Sequence, residues 1–211
     1  ILIHGLGRTS FSMRKPYRFL SSKGYCVLNF AYPSRQIAIA ESAALLDRFI
    51  AKNCVDPTKR IHFLTHSLGG IVLRAYLNQH REKRLGRAVM LVPPNQGSEL
   101  ADKLKNLQLY KWLLGEAGQQ LGTDGLPTRL GAIALEVGVI AATRSIYPYS
   151  SLIFGATNDG MVALERTKVE GMSDFLVVNQ VHSFVMNTSE VLRQSDRFFQ
   201  TGAFSSDVAK I

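Results

Sequence analysis

Cysteine is scarce in this sequence, which has only Cys26 and Cys54 among its 211 residues. Two cysteines do not make a disulfide scaffold in a chain of this length, so stability must come from a hydrophobic core. No grouping of cysteine and histidine has the spacing of a zinc site, and we predict no metal. Cys26 lies in an apolar run, and we interpret it as a small core residue.

Long hydrophobic runs are also missing. No stretch approaches the roughly 18 consecutive apolar residues that a membrane-spanning helix needs, so we expect a soluble protein. There is no basic-then-apolar leader, because residues 1–3 continue directly into His4 and Gly5. The chain begins without an initiator Met and late in an apolar stretch, so we expect any leader or further strands to lie upstream of residue 1. The compartment and the oligomeric state are left open.

Acidic residues are outnumbered by basic ones, and the formal net charge is +9. The basic residues are spread along the chain apart from one cluster, formed by Arg74, Arg81, Lys83, Arg84 and Arg87. We interpret this cluster as a solvated helix end and loop; the alternative is peripheral contact with an anionic membrane surface or with acidic substrates. Nucleic-acid binding is least favoured, because no aromatic residues interleave with the cluster and no binding motif surrounds it.

Apolar residues make up 46% of the chain, enough for one core, and residues 1–211 are predicted to form one domain. Short apolar runs predict strands at residues 1–3, 25–31, 61–65, 88–92, 137–142 and 175–178. Helical patterns lie between these runs. A repeated order of strand and helix predicts an α/β fold with a mostly parallel sheet of about six strands and helices on both faces.

The stretch 61–70 is the place where a strand pattern turns abruptly into a helix. Ser67 lies at the apex of the turn, and Gly69 and Gly70 follow it. This arrangement corresponds to a nucleophile elbow, usually G-x-S-x-G, in which a serine hydroxyl stands clear of the backbone within reach of a base. Thr65 occupies the position where the motif usually has glycine. The stretch predicts Ser67 as a nucleophile, and a plain helix N-cap is the alternative.

A serine nucleophile of this kind needs a histidine base, and the chain has five histidines. His4 follows the first strand and is expected to shape a loop. His62 points from a strand, and His66 is held beside the serine and cannot easily turn back to it. His80 ends a helix. By elimination, His182 is the predicted base, because it alone lies far downstream of the elbow.

A carboxylate must then orient the histidine. In proteins with a nucleophile elbow, this acid lies between the serine and the histidine along the chain. Asp159 lies in an Asn-Asp-Gly loop near the carboxyl ends of the strands, where ligand sites of such sheets occur. Asp174 directly precedes the last strand, which places it at the opposite edge of the sheet. We therefore favour Asp159, with Glu165 as the fallback and a plain turn residue as the alternative for Asp159.

These stretches together resemble the small bacterial lipases and esterases of the α/β-hydrolase fold. The matching stretches extend over nearly the whole chain: residues 3–7 (IHGLG), 65–70 (THSLGG), 93–98 (PPNQGS), 158–162 (NDGMV) and 181–183 (VHS).

The resemblance implies an α/β-hydrolase fold in which Ser67, Asp159 and His182 form a catalytic triad. It also implies an oxyanion hole made by the backbone N–H groups of Leu6 and Leu68. Members of the family hydrolyse carboxylic esters without a cofactor, so we expect a lipid or small acyl ester as substrate and no cofactor.

Residues 97–135 form helical pieces separated by glycine-containing breaks, and we predict that they form a small cap or lid. Within them, Trp112 and Leu113 belong to an apolar stretch that would receive an acyl chain. Ordinary helix packing on the sheet is an equally good interpretation. His4 is a further candidate for substrate contact.

Two other classes of function remain open. The same three residues would serve an acyltransferase, thioesterase or amidase, and no residue in the sequence excludes these reactions. A non-catalytic binding protein with an α/β-hydrolase fold is the third interpretation, and the presence of Ser67, Asp159 and His182 in the expected order argues against it.

Overall fold

A computed structural model describes residues 1–80, 82–104, 106–148 and 150–205, and within these it excludes the side chains of residues 109–113 and 151. In the described part, six strands form one parallel sheet in the order β2-β1-β3-β4-β5-β6. The strands are β1 (Leu2–Ile3), β2 (Asn29–Phe30), β3 (Ile61–His66), β4 (Leu85–Leu91), β5 (Glu136–Arg144) and β6 (Asp174–Val181). The predicted parallel sheet of six strands is confirmed.

Eight α-helices accompany the sheet in the described part of the chain. They are α1 (Arg14–Ser22), α2 (Ile39–Asn53), α3 (Leu68–Gln79), α4 (Glu99–Leu104), α5 (Gln108–Gln119), α6 (Leu126–Arg129), α7 (Ser150–Phe154) and α8 (Ser189–Thr201). None of those described is both long and apolar enough to span a bilayer.

Side chains that alternate along the strands divide the core between the two faces of the sheet. Ile3 and Phe63 belong to one apolar cluster, whereas their neighbours Leu2 and Leu64 belong to the other. Helices α2 and α3 pack on the first cluster through Ile39, Leu46 and Ile71. Helices α1 and α8 pack on the second through Leu20, Val191 and Phe198. Both faces are thus covered, as parallel sheets require.

The second strand is shorter than predicted. β2 lies at the edge of the sheet and pairs only with β1, which is itself two residues long. Tyr25 and Val27 still pack partly against the core, but Cys26 between them is exposed. The prediction of Cys26 as a core residue is therefore wrong, because an edge segment directs alternate side chains to solvent.

The basic cluster is not a solvated patch throughout, because Arg74 is buried in α3. Its Nη1 donates a hydrogen bond to the carbonyl oxygen of Asn95 (2.8 Å), and its Nη2 donates to that of Gly131 (2.8 Å). Burial lowers the pKa of Arg74 to about 10. The side chain thus connects α3 to two loops, one of which, residues 93–98, leads to the site described below.

Two other members of the cluster are paired within the chain. Arg84 contacts Glu82, and Arg87 contacts Glu136, each at 2.8 Å. Arg81 lies outside the described residues. The charges of Arg84 and Arg87 are therefore balanced by neighbouring carboxylates.

Candidate active site

The polypeptide turns sharply at Ser67, between the end of β3 and the start of α3. Ser67 has φ 52° and ψ −122°, a strained conformation for a residue with a side chain. Its N–H donates to the carbonyl oxygen of Leu91 at the end of β4 (2.9 Å), and its own carbonyl accepts the N–H of Gly70 (2.9 Å). These two hydrogen bonds stabilise the strained conformation. In this conformation, the serine projects from the end of the sheet.

Gly69 explains how α3 begins so close to the sheet. A Cβ atom at this position would lie 2.6 Å from the carbonyl oxygen of Ile3 in β1, which is too close for any side chain. Thr65, in place of the usual glycine, is accommodated at the end of β3: its side chain is buried, and its hydroxyl has no hydrogen-bond partner among the described residues. The elbow therefore forms without a glycine at position 65.

The structure brings Ser67, His182 and Asp159 together in one line of hydrogen bonds. Nε2 of His182 lies 3.0 Å from Oγ of Ser67, and Nδ1 of His182 lies 2.7 Å from Oδ2 of Asp159. A carboxylate can only accept, so Nδ1 carries the proton and Nε2 is left to accept the serine O–H. The three residues come from loops after three different strands, at the edge where all the strands end.

Asp159 is held in a single orientation. It is 1% exposed, and Oδ1 accepts the backbone N–H groups of Met161 (2.9 Å) and Val162 (2.8 Å). Its carbonyl oxygen also accepts the N–H of His182 at 3.3 Å. One carboxylate oxygen thus orients the loop, and the other faces the imidazole.

The other carboxylates considered from the sequence lie elsewhere. Asp174 begins β6, and its Oδ2 accepts the N–H of Phe204 near the other end of the sheet (2.7 Å). Glu165 is exposed and forms an ion pair with Lys168 (2.8 Å). Neither is bonded to His182, so the geometry favours Asp159 among the three.

His66 has a position that the sequence did not reveal. Its ring is buried, and Nε2 lies 3.0 Å from the carbonyl oxygen of His182, to which it donates a hydrogen bond. Nδ1 is buried without a partner among the described residues. Burial, with the neighbouring His182, holds the pKa of His66 well below its usual value. His66 is therefore neutral and connects the elbow to the backbone of the His182 loop.

The two predicted oxyanion positions flank the serine. Leu68 is the first residue of α3, where an N–H group has no acceptor within the helix. Leu6 follows β1 and lines the cavity beside Ser67. The chain passes closely over the elbow, since a Cβ atom at Gly5 would lie 2.8 Å from Nδ1 of His66 and 3.2 Å from Cβ of Ser67.

His4, a candidate for substrate contact, is not among the described residues that line this cavity. It is buried and stacks on Tyr32 with 4.4 Å between ring centroids. The hydroxyl of Tyr32 donates to the carbonyl oxygen of His4 (2.8 Å), and Nδ1 of His4 donates to that of Gly5 (2.9 Å). Burial lowers the pKa of His4. The side chain of His4 therefore stabilises the loop that follows β1.

A cavity of about 170 Å³ adjoins Ser67 and His182. Most of its described wall is apolar, formed by Leu6, Pro94, Leu100, Ala101, Leu114, Leu121, Met161 and Val162. Leu100, Leu114 and Leu121 belong to the predicted cap segment, 97–135. The side chains of Trp112 and Leu113 lie outside the described residues, although their backbone belongs to α5.

Sequence reasoning also missed Arg8, which lies on the cavity wall two residues after Leu6. No motif marked it, because basic residues are common in this chain. Among the described residues, no group of three or more His, Cys, Asp or Glu side chains is placed to hold a metal ion.

Comparisons with known proteins find matches in structure and none in sequence. No protein-family model matches the chain, and no curated protein matches it significantly. The mature lipase BlEst2 of Bacillus licheniformis superposes with a TM-score of 0.70 at 18% identity, over 88% of this chain and 84% of that one. The chain has the α/β-hydrolase fold.

Two other hydrolases of this fold are similar over shorter parts of their length. The metagenomic carboxyl esterase MGS0156 has a TM-score of 0.70 at 21% identity, over 86% of this chain and 63% of its own. The phospholipase PlaB of Legionella pneumophila has a TM-score of 0.64 at 19% identity, over 79% and 44%. This α/β-hydrolase chain therefore spans less than two thirds of these two proteins.

Proposed function

We propose that this chain is a serine ester hydrolase that acts on acyl esters through an acyl-enzyme. The observation that carries the proposal is the line of hydrogen bonds from Ser67 Oγ to His182 Nε2 (3.0 Å) and from His182 Nδ1 to Asp159 Oδ2 (2.7 Å). This is the geometry in which a histidine can take the proton of a serine while a carboxylate holds its tautomer.

In the first half of the reaction, Ser67 Oγ attacks the ester carbonyl as His182 Nε2 takes its proton. Asp159 stabilises the imidazolium that forms. The N–H groups of Leu6 and Leu68 bind the oxyanion of the tetrahedral intermediate, each contributing about 3 kcal/mol. His182 then gives the proton to the leaving alcohol oxygen, which departs as the free alcohol and leaves the acyl group on Ser67.

In the second half, a water molecule replaces the alcohol. His182 takes a proton from the water as its oxygen attacks the acyl carbonyl, and the same N–H groups bind the new oxyanion. The bond to Ser67 Oγ breaks, the proton returns to that oxygen through Nε2, and the carboxylic acid leaves.

The apolar cavity wall supports an acyl group as the part of the substrate that it holds. Three leucines of the wall, Leu100, Leu114 and Leu121, come from the predicted cap segment, and we propose that this segment covers the acyl chain. The structural neighbours include a lipase, a phospholipase and a carboxyl esterase, which supports ester hydrolysis as the reaction.

The experiment combines turnover with covalent labelling. Wild-type protein should hydrolyse p-nitrophenyl butyrate and react with a fluorophosphonate probe, whereas Ser67→Ala should lose both. Ser183→Ala is the matched control, because Ser183 lines the same cavity and only its backbone carbonyl makes a hydrogen bond among the described residues. Labelling that persists in Ser67→Ala would refute the assignment.

Product analysis separates hydrolysis from acyl transfer, which the same three residues could perform. With an alcohol acceptor added, a hydrolase should still release mainly free acid. Ester as the main product would assign the site to an acyltransferase.

A further inference from the structure

Arg8 is a cation on a largely apolar cavity wall, and no Lys or other Arg belongs to the described part of that wall. It shares the wall with Ser67 and His182 and is partly exposed. No Asp or Glu belongs to the described wall. A guanidinium at the mouth of an apolar cavity favours an anionic group there and repels a cationic one.

The hydrogen-bonding capacity of Arg8 is largely unused. Within the described part of the chain, the guanidinium makes one hydrogen bond, a long one from Nη2 to the carbonyl oxygen of Ser183 at 3.5 Å, and it has no ion pair. By contrast, Arg87 and Arg166 each contact a glutamate, at 2.8 and 2.7 Å. A guanidinium has five N–H donors in a planar fork that matches phosphate and carboxylate oxygens.

The position of Arg8 indicates which part of a substrate it would meet. Its bond partner Ser183 directly follows His182. In the proposed function, His182 returns its proton to the leaving alcohol oxygen, so the alcohol part of the ester lies on this side of the cavity. The acyl part would then lie against the apolar side chains of the wall, among them Leu100, Leu114 and Leu121.

We propose that Arg8 binds a phosphate group on the alcohol part of the substrate, so that the preferred substrates are acyl esters of phosphorylated alcohols. The inference rests on the proposed function. The reaction balances as ester hydrolysis: the acyl group passes to Ser67, the phosphorylated alcohol leaves with a proton from His182, and water releases the acid. The phosphate could belong to a lipid headgroup or to a small soluble ester.

The test compares butyryl glycerol phosphate with butyryl glycerol, which have the same acyl group and the same ester bond. Wild-type protein should have the higher kcat/KM for the phosphorylated ester. Arg8→Gln should lower the ratio of the two kcat/KM values about tenfold or more, because it removes a charge-assisted contact. Arg8→Lys should retain part of the ratio.

Arg48→Gln is the control, because it changes the net charge equally at an exposed position of α2 and should leave the ratio as it is. Equal loss for both esters in Arg8→Gln would reveal a merely structural role and overturn the proposal. A wild-type ratio of the two kcat/KM values near one would also overturn the proposal.

A binding measurement distinguishes failure of this inference from failure of the proposed function. By calorimetry, the Ser67→Ala protein should bind butyryl glycerol phosphate more tightly than butyryl glycerol, and Arg8→Gln should abolish the difference. This result would support the Arg8 site even if no ester were hydrolysed, and its absence in an active esterase would overturn the Arg8 site alone. Inorganic phosphate that binds as tightly as the ester would overturn the substrate assignment.

A final comparison identifies the source of the phosphate group. Palmitoyl glycerol phosphate in phosphatidylcholine vesicles is compared with soluble butyryl glycerol phosphate. Faster, Arg8-dependent turnover in vesicles would support a lipid headgroup, whereas faster, Arg8-dependent turnover in solution would support a small ester. Turnover of both without dependence on Arg8 would contradict the proposal.

Discussion

Nε2 of His66 lies 3.0 Å from the carbonyl oxygen of His182, so the residue before the serine holds the backbone of the histidine that faces it. The two rings lie 5.3 Å apart, and His66 is fully buried between the elbow and the His182 loop. The elbow thus positions both partners of the Ser67–His182 hydrogen bond, one through its own turn and the other through a neighbouring side chain.

Replacing His66 should therefore reduce activity without touching the reacting atoms. In His66→Leu, the loss of one hydrogen bond of about 1 kcal/mol should lower kcat about fivefold to tenfold, with a smaller effect on KM. His66→Gln places an amide N–H near the position of Nε2 and should recover much of the loss. The measurement is p-nitrophenyl butyrate turnover by both variants; equal losses would contradict a role for the donor.

Stability should fall as the solution becomes acidic. Burial lowers the pKa values of His4, His62 and His66 below their usual value of 6.5. Below that pH the unfolded chain binds protons that the native state does not, so the free energy of unfolding decreases as the pH falls. Above it both states are neutral at these positions, and their contribution is constant.

Urea unfolding between about pH 8 and about pH 5 measures this dependence. His66→Gln should flatten the slope below pH 6.5, because it removes the histidine with the strongest shift. An unchanged slope in this variant would show that His66 is protonated in the folded protein.

Asp159→Asn should disturb the orientation of His182 without disturbing the fold. The amide can keep its oxygen towards the N–H groups of Met161 and Val162, but it would present N–H donors to Nδ1 of His182 and favour the wrong tautomer. We expect kcat to fall by about three to four orders of magnitude with little change in Tm. Asp174→Asn is the matched control, since Asp174 bonds to Phe204 and should affect stability rather than kcat.

Arg74 should contribute to stability through the loops that it joins. Arg74→Ala leaves the carbonyl oxygens of Asn95 and Gly131 without their donor and creates a cavity in α3, which should cost about 2 to 4 kcal/mol in the free energy of unfolding. Urea unfolding measures the loss. Arg48→Ala on the exposed side of α2 should change the free energy little, and an equal loss there would contradict this explanation.

Much of the fold was predictable because its signals are local. The apolar runs identified all six strands, and the turn at Ser67 identified the start of α3. The edge strand was misjudged because its length depends on the two-residue partner β1. Cys26 was misplaced for the same reason: its exposure is decided by which face of an edge segment is covered.

The three side chains of the candidate site were predictable from the sequence, but the contacts of the residues that hold them in place were not. The elbow pattern selected Ser67, and position along the chain selected Asp159 and His182; the structure places the three in hydrogen-bond contact. No pattern in the sequence reveals that the ring of His4 stacks on Tyr32. His66 was expected only to be held beside Ser67, and its bond to the His182 carbonyl joins residues 116 positions apart.

By itself, the sequence determined the succession of strands and helices, the elbow and the residues at the carboxyl ends of the strands. These features depend on periodicity and turn chemistry, which involve neighbours along the chain. Only the tertiary structure decided that Arg74 is buried and that His66 donates a hydrogen bond to the backbone of His182. It also decided that Arg8 lines the cavity without a carboxylate partner among the described residues. Burial and pairing depend on groups that folding brings together from distant parts of the chain, and no local pattern records them.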